Sequence, residues 1–481
     1  TPDELAEMRC ESRKSSLYSS VCEYAKTNDK ARKFVDELKI LRTLIKSISG
    51  IRGTVGGEAG DNLTPSDIVR FTVGYSRWLL RQVSGRRPVV AVGRDARLSG
   101  EMVYSLVEGT LMGCGVDVID LGLCTTPGVE MAVTAKAADG GIIITASHNP
   151  RQWNALKLLN ARGEFLSDAD GREVLRLADA PDFAYPDVDA LGCVIERSSF
   201  GDEHIDRVLA LPLVDAEAVR KRGFRVTVDA VNSVGGIVIP RLLERMGVEV
   251  ERLNCEPTGD FAHNPEPIAA NLSQVMEAVR RNGSDMGIVV DPDVDRLAFV
   301  CEDGELFGEE YTLVAVADYV LSATPGDTVS NLSSTRALRD VTERHGGHYA
   351  ASAVGEVNVV AKMKETGAVI GGEGNGGVIY PALHYGRDAL VGVALLLTSL
   401  ARSGKRMTEL RSGYPQYYMA KDKITLRPGM DVAKILSGMK DAYSGERITD
   451  TDGVKIDFPE GWVHMRSSNT EPIIRIYSES R

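Results

Sequence analysis

The stretch Gly140-Gly141-Ile142-Ile143-Ile144-Thr145-Ala146-Ser147-His148-Asn149-Pro150 starts as a continuous apolar run and ends in a polar loop. The same form recurs at residues 88–95, 224–232 and 286–293, where apolar runs lead into Gly-Arg-Asp, Asp-Ala-Val-Asn and Asp-Pro-Asp. Apolar residues at helical spacing lie between these runs, over residues 67–83, 100–113, 237–246 and 272–281. This alternation predicts α/β layers with largely parallel strands that are buried on both faces. Because ligands in such layers bind where strands end, the polar loops are the candidate sites.

Changes in composition and in the pattern of apolar residues divide the chain into five parts. Residues 1–43 are dense in charge, and Phe34, Leu38 and Leu41 have helical spacing, so we expect an N-terminal extension that is helical or disordered. Three α/β domains are predicted over residues 44–198, 199–300 and 301–412, as similar units in series. Residues 413–481 alternate apolar and polar side chains around one helical segment, which predicts a smaller α+β domain.

Composition excludes several classes of protein. The 481 residues are 43% hydrophobic and 26% charged, values typical of globular proteins and unlike extended disorder. The net charge of −12 disfavours a nucleic-acid-binding surface but leaves room for a small anionic substrate in a local basic loop. Seven widely spaced cysteines without C-x-x-C argue against a disulfide framework or a zinc site. With no secretory pattern and no apolar run of membrane-spanning length, we expect a cytoplasmic protein without a membrane partner.

Ser147 is the first candidate functional residue. A serine at a strand end acts as a nucleophile where a base and a positive environment support it, and this loop is not the G-x-S-x-G elbow of hydrolases. A turn stabilised by serine, asparagine and proline explains the loop equally well. His148 is adjacent, and neighbouring side chains usually point apart, which disfavours it as the direct base. Lys157 lies near enough along the chain to return to the same pocket.

The segment Asp291-Pro292-Asp293-Val294-Asp295-Arg296 places three carboxylates at alternating positions after an apolar run. Such carboxylates are costly unless they are neutralised, and a divalent cation with oxygen ligands is the natural solution. An EF-hand is excluded by Arg296 at the position that requires glycine. Two alternatives remain, a phosphatase-type loop with Asp291 as nucleophile and a solvated acidic turn.

Two further loops carry polar groups suited to a sugar phosphate. Residues 372–377 match G-x-G-x-x-G, but a strand-like, proline-broken segment follows, so a dinucleotide site is not indicated. Glu373 and Asn375 in this loop suit hydrogen bonds to sugar hydroxyls, and a glycine-rich turn is the alternative. Residues 466–472 with Arg475 offer arginines and hydroxyls to a phosphate dianion, and a surface turn is the alternative.

Taken together and in this order, the four loops resemble those of the α-D-phosphohexomutase superfamily: phosphoglucomutase, phosphomannomutase and phosphoglucosamine mutase. The resemblance covers about residues 44–481. Further matches are Ser49-Gly50-Ile51-Arg52-Gly53, Gly93-Arg94-Asp95 and His263-Asn264-Pro265-Glu266-Pro267. It implies four domains around a central cleft, three related α/β units with mixed, helix-covered sheets and a smaller C-terminal α+β domain. Since relatives usually continue beyond the phosphate motif, it also implies that a last domain ending at Arg481 is incomplete.

The resemblance also implies roles for individual residues. Ser147 would carry a phosphoryl group and, with Asp291, Asp293 and Asp295, would bind one Mg²⁺ per chain. The implied catalytic residues are Ser147, Lys157 as general acid/base, Arg52, Arg296 and His148. The implied sugar-binding residues are Glu373, Asn375 and Glu356. The implied phosphate-binding residues are Arg466, Ser468, Asn469, Thr470 and Arg475. The substrate would be a small sugar phosphate, and a bisphosphorylated hexose would be both activator and intermediate. The protein would be a monomer or a dimer.

Three positions depart from the pattern of many relatives. Asn375 stands where many bacterial relatives have serine, and Gly377 and Glu356 stand where histidine is frequent. The G-E-x-N-G loop resembles those of mutases that act on amino or N-acetylamino sugars, and also those of archaeal-type phosphohexomutases. This resemblance favours glucosamine phosphate as substrate, with glucose and mannose phosphates as alternatives. Two hypotheses from other classes stay open: a metal-dependent phosphatase that uses Asp291, and a non-catalytic sugar-phosphate sensor in which Ser147 is never modified.

Overall fold

The computed structural model describes residues 43–47, 50–426, 430–467 and 473–481. Nearly all of the expected N-terminal extension lies outside the described residues. So do Ser468, Asn469 and Thr470 of the expected phosphate loop. Within the described part of the chain, no helix is both long and apolar enough to cross a membrane.

Unit one is built on a seven-stranded mixed sheet in the order β1-β2-β6-β5-β3-β4-β7. Its strands are β1 Ile45–Ser47, β2 Gly50–Thr54, β3 Val89–Arg94, β4 Asp117–Leu123, β5 Gly140–Ile144, β6 Trp153–Leu159 and β7 Val194–Arg197. Its helices are α1 Pro65–Leu80, α2 Gly100–Gly113, α3 Thr126–Ala135 and α4 Asp168–Asp179. Every residue of β5 is buried, as its continuous apolar run predicts.

Unit two has a four-stranded sheet in the order β11-β10-β8-β9. Its strands are β8 Arg225–Asp229, β9 Glu249–Leu253, β10 Met286–Val290 and β11 Leu297–Cys301. Its helices are α5 Gly201–Leu209, α6 Ala216–Arg222, α7 Gly235–Arg245 and α8 Ser273–Asn282.

Unit three repeats this layout, with the strand order β13-β12-β14-β15. Its strands are β12 Thr328–Asn331, β13 Tyr349–Ser352, β14 Ile370–Glu373 and β15 Gly377–Ile379. Its helices are α9 Glu309–Ala323, α10 Ala337–Arg344, α11 Glu356–Thr366, α12 Ala389–Ser403 and α13 Met407–Ser412. One continuous apolar core, which includes most of α12, joins units two and three.

Unit four is a five-stranded antiparallel sheet in the order β16-β20-β19-β18-β17. Its elements are β16 Tyr418–Thr425, α14 Val432–Ala442, β17 Arg447–Thr449, β18 Val454–Asp457, β19 Gly461–Ser467 and β20 Ile473–Ser480. Its core is small and contains Val454, Ile456, Met465 and Ile474. The predicted fold class, three related α/β units and a smaller α+β domain, is confirmed.

A four-stranded motif is common to the first three units. A central strand pairs in parallel with one strand on each side, and an antiparallel strand follows by a hairpin. The hairpins are β5–β6, β10–β11 and β14–β15, and they carry the serine loop, the three-carboxylate loop and the sugar loop respectively. Three of the loops singled out in the sequence are therefore equivalent positions of one repeated motif.

Candidate active site

The equivalent hairpin loops of units one, two and three meet at one place. Ser147 Oγ donates a hydrogen bond of 2.6 Å to Asp291 Oδ2, which joins the serine loop to the carboxylate loop. Arg387, which follows β15, donates to Asp295 and to Glu373, which joins the carboxylate loop to the sugar loop. Residues predicted from separate stretches of sequence therefore form one continuous polar cluster.

Ser147 is held in a left-handed backbone conformation, with φ of 48°. Its N–H donates to Thr145 Oγ1 at 2.9 Å, and its carbonyl accepts from Arg97 Nη2 at 2.9 Å. Thr145 Oγ1 in turn donates to Asp95 Oδ2, which forms a fully buried ion pair with Arg97. A non-glycine residue in this region is strained, and strain of this kind persists only where the surroundings enforce it.

The expectation that Ser147 and His148 point apart is wrong. His148 Nδ1 lies 3.4 Å from Ser147 Oγ, because the left-handed turn at Ser147 brings consecutive side chains to the same side. Burial, followed by the charges of Arg296 and Arg52, holds the pKa of His148 well below its ordinary value. The imidazole is therefore neutral near pH 7, and its surroundings oppose protonation.

The carboxylates of Asp291, Asp293 and Asp295 offer oxygen atoms that all lie within 4.8 Å of one another, and all three residues are fully buried. The left-handed conformation of Val294, with φ of 64°, folds the loop back between the second and third carboxylates. Asp293 Oδ1 and Asp295 Oδ1 are buried without a hydrogen-bond partner among the described residues. Burial and then the neighbouring charges of Asp293 and Asp295 raise the pKa of Asp291 well above its ordinary value. This donor set fits a hard divalent cation such as Mg²⁺.

Lys157 reaches the cluster from β6, beside the serine hairpin. Its ammonium lies 2.7 Å from Asp293 Oδ2 and 3.4 Å from Asp295 Oδ2. Burial opposes the charge, but the two carboxylates outweigh it and raise the pKa of Lys157 above its ordinary value. Thr126, at the N-terminus of α3, donates from Oγ1 to Asp293 Oδ2 at 2.6 Å and was not singled out in the sequence.

Two arginines, Arg52 and Arg296, place positive charge beside the carboxylate cluster. Arg296 donates its backbone N–H to Asp291, and Arg52 lies on β2 of unit one. Burial, followed by the charges of Arg296 and Arg475, lowers the pKa of Arg52. The Nε atoms of Arg52 and Arg296 are buried without a hydrogen-bond partner in the part of the chain that the structure describes. Mutually repelling guanidiniums with buried, unsatisfied donors fit a site for an anion.

Glu373 is anchored on all sides in the sugar loop. Its Oε1 accepts from Asn331 Nδ2 at 2.7 Å and from the N–H of Gly355 at 3.1 Å. Its Oε2 accepts from Arg387 Nη1 at 3.2 Å and from Asn375 Nδ2 at 3.5 Å. Glu356 does not stand free, because both of its oxygens accept hydrogen bonds from Arg387.

The two predicted phosphate arginines of unit four lie opposite each other, Arg466 on β19 and Arg475 on β20. Like charges in direct cross-strand register are destabilising. Arg466 Nε is buried without a hydrogen-bond partner among the described residues. The pair therefore fits a phosphate site, although Ser468, Asn469 and Thr470 between these strands lie outside the described residues.

Besides Thr126, sequence reasoning missed two arginines that the structure puts at the centre of the site. Arg387 contacts three carboxylates from two units, and Arg97 fixes the backbone of Ser147. Arg97 lies two residues after the Gly93-Arg94-Asp95 segment, and this position just after a strand end could have marked it as a candidate site residue. Arg387 carried no such signal, because its partners lie in distant parts of the sequence.

Four consecutive family profiles match the chain. They are phosphoglucomutase/phosphomannomutase α/β/α domain I over residues 44–184, domain II over 202–304, domain III over 308–418 and the C-terminal domain over 421–481. The chain therefore belongs to the phosphoglucomutase/phosphomannomutase family. It is an isomerase of the phosphohexomutase type.

Similar individual proteins carry different substrate names. A phosphoglucomutase/phosphomannomutase of Thermococcus kodakarensis is 37% identical over 89% of this chain and 94% of its own length. A probable phosphoglucosamine mutase of Methanopyrus kandleri is 34% identical over 90% of this chain and 93% of its own length. A solved phosphoglucomutase/phosphomannomutase family protein of Burkholderia thailandensis has a TM-score of 0.79 at 26% identity, over 92% of this chain and 93% of that chain.

Proposed function

We propose that the chain interconverts hexose 6-phosphates and hexose 1-phosphates through a phosphoryl group carried on Ser147. The observation that carries this proposal is the 2.6 Å contact between Ser147 Oγ and Asp291 inside a buried cluster of three carboxylates. A serine in that position has its hydroxyl beside a candidate cation site, where a bound cation would neutralise the charge of a phosphoryl group. One Mg²⁺ held by Asp291, Asp293 and Asp295 would offset the charge that develops on the transferring group.

The chain's own residues supply the other parts of the proposed reaction. In the first step a sugar hydroxyl attacks the phosphorus, the bond from phosphorus to Ser147 Oγ breaks, and a bisphosphorylated hexose forms. In the proposal Lys157, charged and buried beside Asp293, gives a proton to the departing serine oxygen and regains one from the sugar hydroxyl that attacks, and the reverse direction uses the same two transfers reversed. Arg52 and Arg296 stabilise the negative charge on the group in transit.

The second step needs the sugar to be held in two orientations. The bisphosphorylated hexose turns around, so that its other phosphate faces Ser147 and returns to it. During each step the phosphate that does not react is bound by Arg466 and Arg475. We propose that Ser468, Asn469 and Thr470 also bind this phosphate. Glu373 and Asn375 bind sugar hydroxyls near the middle of the cleft in both orientations.

Glucosamine phosphate is the proposed preferred substrate. The Gly372-Glu373-Gly374-Asn375-Gly376 loop supports this choice, as does the name of the Methanopyrus kandleri relative. Glucose and mannose phosphates form the second candidate, favoured by the name of the Thermococcus kodakarensis relative.

The test locates the phosphate. The protein is incubated with Mg²⁺ and glucose 1,6-bisphosphate, and phosphopeptides are mapped by mass spectrometry, with Ser147→Ala as control. Acid-stable phosphate on Ser147 supports the proposal, and turnover of glucosamine, glucose and mannose phosphates, followed by ³¹P NMR, then decides the substrate. A base-labile acyl phosphate on Asp291 would instead indicate a phosphatase, and absence of label at both positions would indicate a sensor.

A further inference from the structure

Arg387 makes four hydrogen bonds to three acidic residues and is only 8% exposed. Its Nη2 donates to Asp295 Oδ2 at 2.7 Å, and its Nη1 donates to Glu373 Oε2 at 3.2 Å. Its Nε and its backbone N–H donate to the two oxygens of Glu356, at 3.1 and 2.9 Å. One planar guanidinium therefore bridges the carboxylate loop of unit two and the sugar loop of unit three.

Of the three carboxylates that Arg387 contacts, that of Asp295 keeps one oxygen available to another partner, whereas both oxygens of Glu373 and of Glu356 already accept hydrogen bonds. Asp295 uses Oδ2 toward Arg387, while its Oδ1 is buried and unpartnered among the described residues. Glu373 lies at the junction of Arg387, Asn331 and the backbone of Gly355, so its rotamer is fixed from three directions. Breaking a buried ion pair on one side is strongly destabilising, so these groups hold their positions together.

The side chain of Arg387 also accounts for two of the departures noted in the sequence. A Cβ atom added at Gly377 would lie 2.3 Å from Arg387 Cδ and 3.0 Å from its Cγ, so any side chain at this position, histidine included, requires Arg387 to leave its present conformation. Glu356, at the other histidine position, is the ion-pair partner of Arg387. Gly377 thus leaves room for the Arg387 side chain, and Glu356 pairs with its charge.

We propose that Arg387 is a positioning residue that fixes the sugar-binding carboxylate of Glu373 relative to the cation-binding carboxylate of Asp295, and so couples hexose binding to cation binding. This inference rests on the proposed function of the same site. Because linkage is reciprocal, a cation at the Asp291–Asp295 loop changes the affinity for hexose phosphate by the factor by which hexose phosphate changes the affinity for the cation.

Direct binding to the dephosphorylated enzyme, which has no phosphoryl group to transfer, tests the coupling. The dissociation constant of glucosamine 6-phosphate is measured with and without saturating Mn²⁺, and that of Mn²⁺ with and without the sugar. Glucose 6-phosphate replaces the amino sugar if the wild type prefers it. In the wild type we expect each ligand to change the affinity for the other at least about 5-fold, at the low end of typical allosteric couplings.

Arg387→Met is expected to weaken hexose phosphate binding about 10- to 100-fold, the loss equivalent to a charge-assisted hydrogen bond, and to abolish the coupling. Arg387→Lys restores the charge but not the bridging fork, so it should recover stability without recovering the coupling. Arg77→Met is the matched control, since Arg77 is also buried and is bonded to Leu177, Ala180 and Asp182, none of which contacts the carboxylate or sugar loop in the hydrogen bonds described. Coupling that persists in Arg387→Met, or that is absent from the wild type, overturns the proposal.

Gly377→Ala tests the same geometry without removing the guanidinium. Its methyl group should displace Arg387 and raise the KM for hexose phosphate about 10-fold in the wild type, but less than about 2-fold in an Arg387→Ala background, as expected of contacting residues in a double-mutant cycle. Equal effects in both backgrounds would overturn the proposal. A wild type that turns over none of the three hexose phosphates would contradict the proposed function instead, which keeps the two failures distinct.

Discussion

At the scale of single residues, the conformation of Ser147 is the feature that needs a physical explanation. A left-handed non-glycine residue costs roughly 1–2 kcal/mol, so other contacts must offset that cost. Thr145 Oγ1 connects Ser147 to Asp95, since it accepts a hydrogen bond from the Ser147 N–H and donates one to the Asp95 carboxylate. Asp95 and Arg97 are 0% and 1% exposed, which makes the support behind the serine rigid as well as buried.

Thr145→Val keeps the shape of the side chain but removes both hydrogen bonds. We expect a loss of about 2 kcal/mol in the free energy of unfolding, because the buried Asp95 carboxylate loses a donor. We also expect phosphoryl transfer from glucose 1,6-bisphosphate to Ser147 to slow about 10- to 100-fold, because the oxygen is misplaced. Denaturant titration and single-turnover labelling measure the two effects. Thr145→Ser keeps the hydroxyl, and a Thr145→Val enzyme that reacts as fast as Thr145→Ser would contradict the explanation.

At the scale of elements, the strands and loops were predictable because their signals are local. A buried strand is a continuous apolar run, and a polar loop marks its end, as β5 and β10 show. The serine and carboxylate loops were found in this way, and their meeting followed from a resemblance to known enzymes. Arg387 and Thr126 were not predictable, because each acts on carboxylates of Asp293 or Asp295 that folding alone brings near. The contact between Ser147 and His148 depends on a backbone angle that residue types do not specify.

Close packing between α1 and α4 is another feature that depends on one small residue. A Cβ atom at Gly74 would lie 2.7 Å from both Ala178 Cβ and the carbonyl oxygen of Val174. Since α1 carries a long buried face, including Phe71 and Trp78, it cannot move away without opening the core of unit one. The glycine thus sets the distance between the two helices.

Gly74→Ala should therefore destabilise unit one by about 1–3 kcal/mol through overpacking, even though alanine favours helix by about 1 kcal/mol. Gly109→Ala is the matched control in α2, where a Cβ atom would meet nothing within 4 Å. That variant should be unchanged or more stable by up to about 1 kcal/mol. Denaturant midpoints and hydrogen exchange of α1 peptides measure both changes. If Gly74→Ala is as stable as Gly109→Ala, the helices are not fixed by this contact.

At the scale of the whole molecule, unit four carries the predicted phosphate arginines, while the serine and carboxylates lie in units one and two. The distance between the two sites therefore depends on how unit four is attached. Arg336, at the start of α10 in unit three, donates to the carbonyl oxygens of Phe458, Pro459 and Gly461 in unit four. The domain bounds predicted from the sequence stay a prediction, but this contact identifies a fixed point between units three and four.

Arg336→Met should loosen unit four while leaving the carboxylate cluster intact. We expect the KM for hexose phosphate to rise about 10-fold, equivalent to roughly 1.4 kcal/mol of binding free energy, because Arg466 and Arg475 are no longer held at a fixed distance from Ser147. The affinity for Mn²⁺, measured by direct titration, should stay unchanged because Asp291, Asp293 and Asp295 lie in unit two.

Arg344→Met provides the control for this variant, since Arg344 lies on the same helix but forms an exposed pair with Asp318 inside unit three. Exposed pairs contribute little, so its KM should match the wild type. Equal KM values for the two variants would show that Arg336 does not set the position of unit four. A loss of Mn²⁺ affinity in Arg336→Met would instead place the attachment of unit four among the determinants of the cation site. A raised KM with unchanged Mn²⁺ affinity in Arg336→Met would mean that the proposed reaction needs Arg466 and Arg475 held at a fixed distance from Ser147.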